Sequence, residues 1–155
     1  MNTKELFNKD MIITKLKADN PNDVIMALYE KLLEKNYVKK SFLDAIISRE
    51  KTYPTGLKLN NYNIAIPHTE SKHVIKSIIA IATLHHPVLF KRMDDSETDV
   101  GVSAVFMIAL NGDYSQVEML SQLIRMVQND VLLQKIIDSN NGNEIIDNLD
   151  KIFIS

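Results

Sequence analysis

Few side chains in this chain are typed and spaced for chemistry, and most of those fall between Arg49 and His68. His68 follows the apolar run Ile64-Ala65-Ile66 and stands directly after Pro67, so its imidazole should emerge where an extended segment gives way to a loop. Strand ends of this kind are where reactive groups collect in α/β folds. Upstream, Arg49 supplies a guanidinium, and Pro54-Thr55-Gly56 supplies a hydroxyl and amides able to donate to an anion. A histidine beside anion donors points to phosphate. A neutral imidazole with one free lone pair is a competent nucleophile toward phosphorus, and at its ordinary pKa that form dominates near pH 7. The second ring nitrogen must then be held by an acceptor, which fixes the tautomer. Arg49 suits the transferred group because a guanidinium fork makes two parallel hydrogen bonds to phosphoryl oxygens. As a cation in the last turn of a helix it would also complement the helix dipole. Glu50 either orients Arg49 or is simply solvated.

The elements that must carry these groups are legible from periodicity and punctuation. Asn20-Pro21-Asn22-Asp23 is a helix start, and Val24, Leu28 and Leu32 recur at helical spacing, which gives a first helix over 21–36. A second helix over 41–51 buries Phe42, Leu43, Ala45, Ile46 and Ile47 until Pro54 forbids continuation. Tyr53-Pro54-Thr55-Gly56 reads as a type I turn and Asn60-Asn61 as another. Apolar stretches rich in Ile, Val and Ala at 62–66, 77–84 and 100–110 read as strands buried on both faces. The period then changes, giving helices over 115–128, 131–138 and 143–153, the last opened by an asparagine cap and carrying Ile145, Ile146, Leu149 and Ile152. Strands in the middle with helices before and after give an α/β fold, a single-domain mixed sheet covered by helices over residues 1–155.

Composition narrows the function classes. The chain has 155 residues, 45% of them hydrophobic, enough for a sizeable core, and its longest apolar runs fall short of the ~20 residues needed to cross a bilayer. No apolar signal region opens the sequence and no cysteine occurs, so the expectation is a cytoplasmic protein without thiolate metal sites. The formal net charge of −2, with no basic helix face, argues against nucleic acid as a partner. His85 and His86 end the 77–84 strand together, but neighbouring strand residues point to opposite faces and no carboxylate lies at ligand spacing. Metal is therefore not expected. His73 is read as packing or capping in the turn after His68, and Asp94, Asp95, Glu97 and Asp99 as a solvated loop.

Arg49-Glu50, Tyr53-Pro54-Thr55-Gly56 and Ala65-Ile66-Pro67-His68-Thr69 resemble the active-site segment of the fructose/mannitol-type enzyme IIA proteins of the bacterial sugar phosphotransferase system, and the likeness covers nearly the whole chain. Met93-Asp94-Asp95, the apolar run 100–110, the helical tail from Gln116, and Thr55-Gly56-Leu57-Lys58-Leu59 without further glycines look most like the galactitol-specific branch. The resemblance implies the mannitol-type enzyme IIA fold and a phosphoryl-carrier subunit. His68 would take phosphate on Nε2 from the phosphocarrier protein HPr and pass it to a cysteine of the cognate enzyme IIB. Through enzyme IIB it would serve membrane enzyme IIC in the uptake of a sugar or sugar alcohol, galactitol by the branch. It further implies Arg49 as phosphate clamp, Thr55, Thr69, Glu50 and Gln116 in support, and no ATP, metal or other cofactor. Gln116 stands where many mannitol-type relatives carry a second active-site histidine. Two alternatives stay open: a regulatory enzyme IIA-like module whose phosphorylation state is read by protein partners, and an interaction domain that never carries phosphate.

Overall fold

The structure, a computed structural model, describes residues 3–153, with side chains described over 5–151. Five strands, β1 (Ile12–Leu16), β2 (Gly56–Leu57), β3 (Asn63–Ala65), β4 (Ile78–Lys91) and β5 (Asp99–Ala109), form one mixed sheet in the order β1-β4-β5-β3-β2. β1 runs parallel to β4 and β3 parallel to β5, whereas β4 pairs antiparallel with β5 and β2 with β3.

Two groups of helices cover the sheet. α1 (Pro21–Glu34) and α2 (Ser41–Thr52) press Val24, Ile25, Leu28, Leu32, Phe42 and Ile46 onto the face that carries Ala65, Ile78, Ala80, Ala82, Val105 and Met107. α3 (Gln116–Val127), α4 (Asp130–Asp138) and α5 (Gly142–Phe153) press Met119, Leu123, Leu133, Ile136, Ile145 and Leu149 onto the other, with Ile64, Ile66, Ile79, Ile81, Phe106 and Ile108. Successive strand residues go to opposite faces, so uninterrupted apolar runs are what a doubly covered sheet requires.

Local chemistry explains the helix limits. Asn20, Ser115 and Asn129 side chains accept from the backbone N–H three residues on and so satisfy an otherwise orphaned donor. α1 stops two residues before the expected Asn36, which adopts a left-handed φ of 61° and closes the helix. Asn141, not Asn143, caps α5: its Oδ1 accepts from the Glu144 amide at 3.0 Å. Ile152, expected on the inward stripe of α5, has a side chain outside the described residues.

Several readings of the sequence need correction. β1 was not expected, because it is a five-residue edge strand holding Thr14 and Lys15, and Lys15 at φ 55° leaves the ladder to donate its N–H to Thr83 Oγ1. β4 does not end at Leu84. It runs to Lys91, and the His85-His86-Pro87 interruption is absorbed by a register shift between Thr83 and Val88. That shift also places the two histidine rings in edge contact, centroids 4.3 Å apart, instead of on opposite faces. Tyr53-Pro54-Thr55-Gly56 is no type I turn: after a bend at Tyr53 the chain runs directly into β2.

Candidate functional site

Two segments converge at the end of the sheet where β3 and β5 finish. β3 leads through Ile66 and Pro67 to His68, which bridges to Ile108 of β5, and the Ile108 amide donates to the Pro67 carbonyl at 2.9 Å. α2 brings Arg49 and Glu50 in its last turns and stops because the residue before Pro54 avoids helical backbone; Tyr53 has φ −127° and ψ 79°.

His68 is only 7% exposed. Its Nδ1 lies 2.8 Å from the carbonyl oxygen of Ile66. A carbonyl can only accept, so the proton of the neutral ring sits on Nδ1 and the lone pair on Nε2. Burial lowers the His68 pKa below 6.5; the Ile66 carbonyl works against that and the nearby Arg49 cation adds to it. The ring is thus neutral near pH 7, as nucleophilic chemistry requires.

Arg49 is half-buried, with its guanidinium carbon 5.4 Å from the centroid of the Tyr53 ring. Its Nε is buried with no hydrogen-bond partner, and the side chain forms no ion pair among the described residues. A buried donor without a partner is costly and fits a cation that awaits an anion. Arg49, Tyr53, Thr69 and His73 line one side groove of about 300 Å³ between α2 and the segment after His68.

Glu50 neither pairs with Arg49 nor lies free in solvent. Its Oε2 accepts from the Thr55 amide at 2.8 Å and its Oε1 from the Thr55 hydroxyl at 2.7 Å. Burial pushes its carboxyl up to about 7, against the two Thr55 bonds, which pull it down. Thr55 is 2% exposed, and with both donors committed to Glu50 they are not the phosphate donors expected from the sequence. Thr69 is buried beside His68. Gln116 is the first residue of α3, at the sheet end where β5 finishes, with no hydrogen bond to the His68 ring. His73 packs as expected: its Nδ1 lies 2.8 Å from Ser41 Oγ at the start of α2. The Arg92 to Asp99 loop is exposed, with Arg92 gripping Asp94 through two bonds and Asp95 accepting from Thr98. Sequence reasoning missed the Ile66 carbonyl, which any residue type would supply, and the Glu50–Thr55 grip, whose only signal is an acid five positions before a threonine.

The family described as "Phosphoenolpyruvate-dependent sugar phosphotransferase system, EIIA 2" matches residues 5–152. The chain belongs to this family. Among relatives, the galactitol-specific EIIA component of Escherichia coli is 30% identical over 116 residues, 75% of this chain and 77% of that protein. The fold is that of solved EIIA structures. A putative phosphotransferase IIA domain from Streptococcus pyogenes superposes with a TM-score of 0.78 at 21% identity, covering 100% of this chain and 99% of that one. Mannitol enzyme IIA of Escherichia coli, solved in complex with phosphorylated mannitol enzyme IIB, gives 0.75 at 20% identity, covering 94% and 97%. This EIIA protein is a phosphotransferase component, most like the galactitol-specific branch. No helix among its described residues is long and apolar enough to cross a membrane.

Proposed function

We propose that this cytoplasmic EIIA accepts a phosphoryl group on Nε2 of His68 from phospho-HPr and passes it to the cysteine of a galactitol-type enzyme IIB. One observation carries the reading: a buried, neutral imidazole is held at Nδ1 by a backbone carbonyl, so that only Nε2 presents a lone pair. Nε2 attacks phosphorus as the P–N bond of the HPr phosphohistidine breaks, and the electron pair of that bond leaves with the HPr ring. His68 then carries phosphate on Nε2 and a proton on Nδ1, so its ring is cationic. The Ile66 carbonyl stabilises that cation and keeps the ring a good leaving group when the enzyme IIB thiolate attacks. Charge on the three equatorial oxygens falls to Arg49, whose Nε is otherwise without a partner. Gln116 and Thr69 support the bound phosphate as uncharged neighbours.

Incubation with enzyme I, HPr and phosphoenolpyruvate, followed by mapping of the acid-labile phosphate, tests the assignment. Label is expected on His68 alone, and label that survives His68→Gln overturns it.

A further inference from the structure

We infer that Glu50 is a positioning residue for His68, acting through Thr55 and the backbone of Ile66; this deepens the function proposed above and rests on it. Four hydrogen bonds connect them without a gap. The Thr55 amide and hydroxyl donate to the two carboxylate oxygens of Glu50 at 2.8 and 2.7 Å. The Thr55 carbonyl accepts from the Ile66 amide at 3.2 Å, and the Ile66 carbonyl accepts from His68 Nδ1 at 2.8 Å. Successive links enter and leave through different peptide groups of Thr55 and Ile66, so the chain transmits position and not polarisation along a conjugated unit.

Glu50 has no comparable claim on Arg49, which forms no ion pair among the described residues. Both residues nevertheless sit in the last turns of α2. One helix end therefore carries the anchor of the nucleophile and the cation that would meet the phosphate, and fixes their separation. A purely structural need would be smaller: a buried threonine requires one acceptor for its hydroxyl and one for its amide, and neutral groups would serve. A half-buried carboxylate is an expensive way to provide both, as the upward displacement of its pKa indicates.

The test uses the whole chain with Glu50→Ala, Glu50→Gln and Thr55→Val. Ring 15N spectra of His68 report the tautomer without any phosphate, and rapid-quench transfer from phospho-HPr reports the chemistry. The unsubstituted protein should show a single tautomer with the proton on Nδ1. In Glu50→Ala the ring should sample both tautomers, so that its two nitrogen shifts converge. Transfer should slow by about ten- to a hundredfold, the scale of a displacement of about 1 Å, while the KM for phospho-HPr holds. Glu50→Gln, which keeps one carbonyl acceptor, should recover part of both. Should Glu50→Ala fail to fold, Glu50→Gln and Thr55→Val are read by the same spectra, each with a displaced tautomer balance. Folded variants with the unsubstituted ring spectrum overturn the proposal, whether or not transfer slows. If the unsubstituted protein takes no phosphate from HPr, the functional reading fails, and the ring spectra still decide the link.

Discussion

At the scale of single residues, the proposed chemistry rests on one ring and one guanidinium. Arg49→Lys keeps the charge and loses the planar fork, so transfer to His68 should slow by the equivalent of about 2 to 4 kcal/mol, the range for removing a preorganised donor. Thermal melts should barely move. Rapid-quench rates beside those melts decide the matter, and an unchanged rate would leave Arg49 as a helix-end charge only. The depressed pKa of His68 sets the pH profile. Only the neutral ring attacks, so the rate constant for accepting phosphate should stay level as pH falls through 6.5 and drop only below it. Stability follows the same sign: below 6.5 the unfolded chain takes up a proton that the folded ring resists, and folding weakens as pH falls toward the folded value. Arg49→Gln removes the neighbouring cation and should raise the His68 pKa. An NMR titration of the ring reads this directly, and a pKa that stays put or falls contradicts the electrostatic contact.

At the scale of elements, the site depends on the short strand β2 more than its two residues would suggest. A Cβ added at Gly56 would lie 2.6 Å from the Lys91 carbonyl oxygen, which cannot retreat without disturbing the end of the β4–β5 ladder, and 2.8 Å from Val100 Cγ1. The glycine is there for close approach. It lets β2, paired with β3, come close to the end of β4 and the start of β5, where the Gly56 carbonyl accepts from the Met93 amide at 2.8 Å. Gly56→Ala should therefore destabilise the protein by about 1 to 3 kcal/mol, as overpacking does, and slow transfer by displacing the adjacent Thr55. Urea denaturation at neutral pH measures the first effect, and stability equal to that of the unsubstituted protein would show that the sheet yields easily.

At the scale of the whole molecule, His68 stands at the sheet end where β5 finishes and β4 begins, beside the end of α2 that carries Arg49. Arriving and departing phosphate must both reach Nε2, so HPr and enzyme IIB should compete for one face around it. Tyr53, 64% exposed beside Arg49, is suited to such a contact. Contacts of this kind need only be small and transient, because turnover requires release. Excess unphosphorylated enzyme IIB should inhibit phosphorylation by phospho-HPr, and simultaneous binding of both partners would contradict a shared face. Phosphorylated protein offered a panel of enzyme IIB domains should prefer the galactitol type; preference for another type would change the sugar and leave the His68 chemistry intact.

Much of this was legible in the sequence because it is local. Helix limits follow from caps and prolines within a few residues, doubly covered strands from unbroken apolar runs, and the candidate histidine stands out by its place after Pro67 with Arg49 upstream. What escaped was non-local. β1 is an irregular edge strand held by Thr83, 68 residues away, and β4 persists through a polar interruption only because β5 pairs with both of its halves. Gly56 reads as a turn residue until the Lys91 carbonyl is seen against it. In the site, the types of Glu50, Thr55 and His68 were plain, but their connection was not. It runs through backbone groups common to all residues, and only tertiary packing decides which carbonyl faces which donor, and hence which nitrogen of His68 is left free.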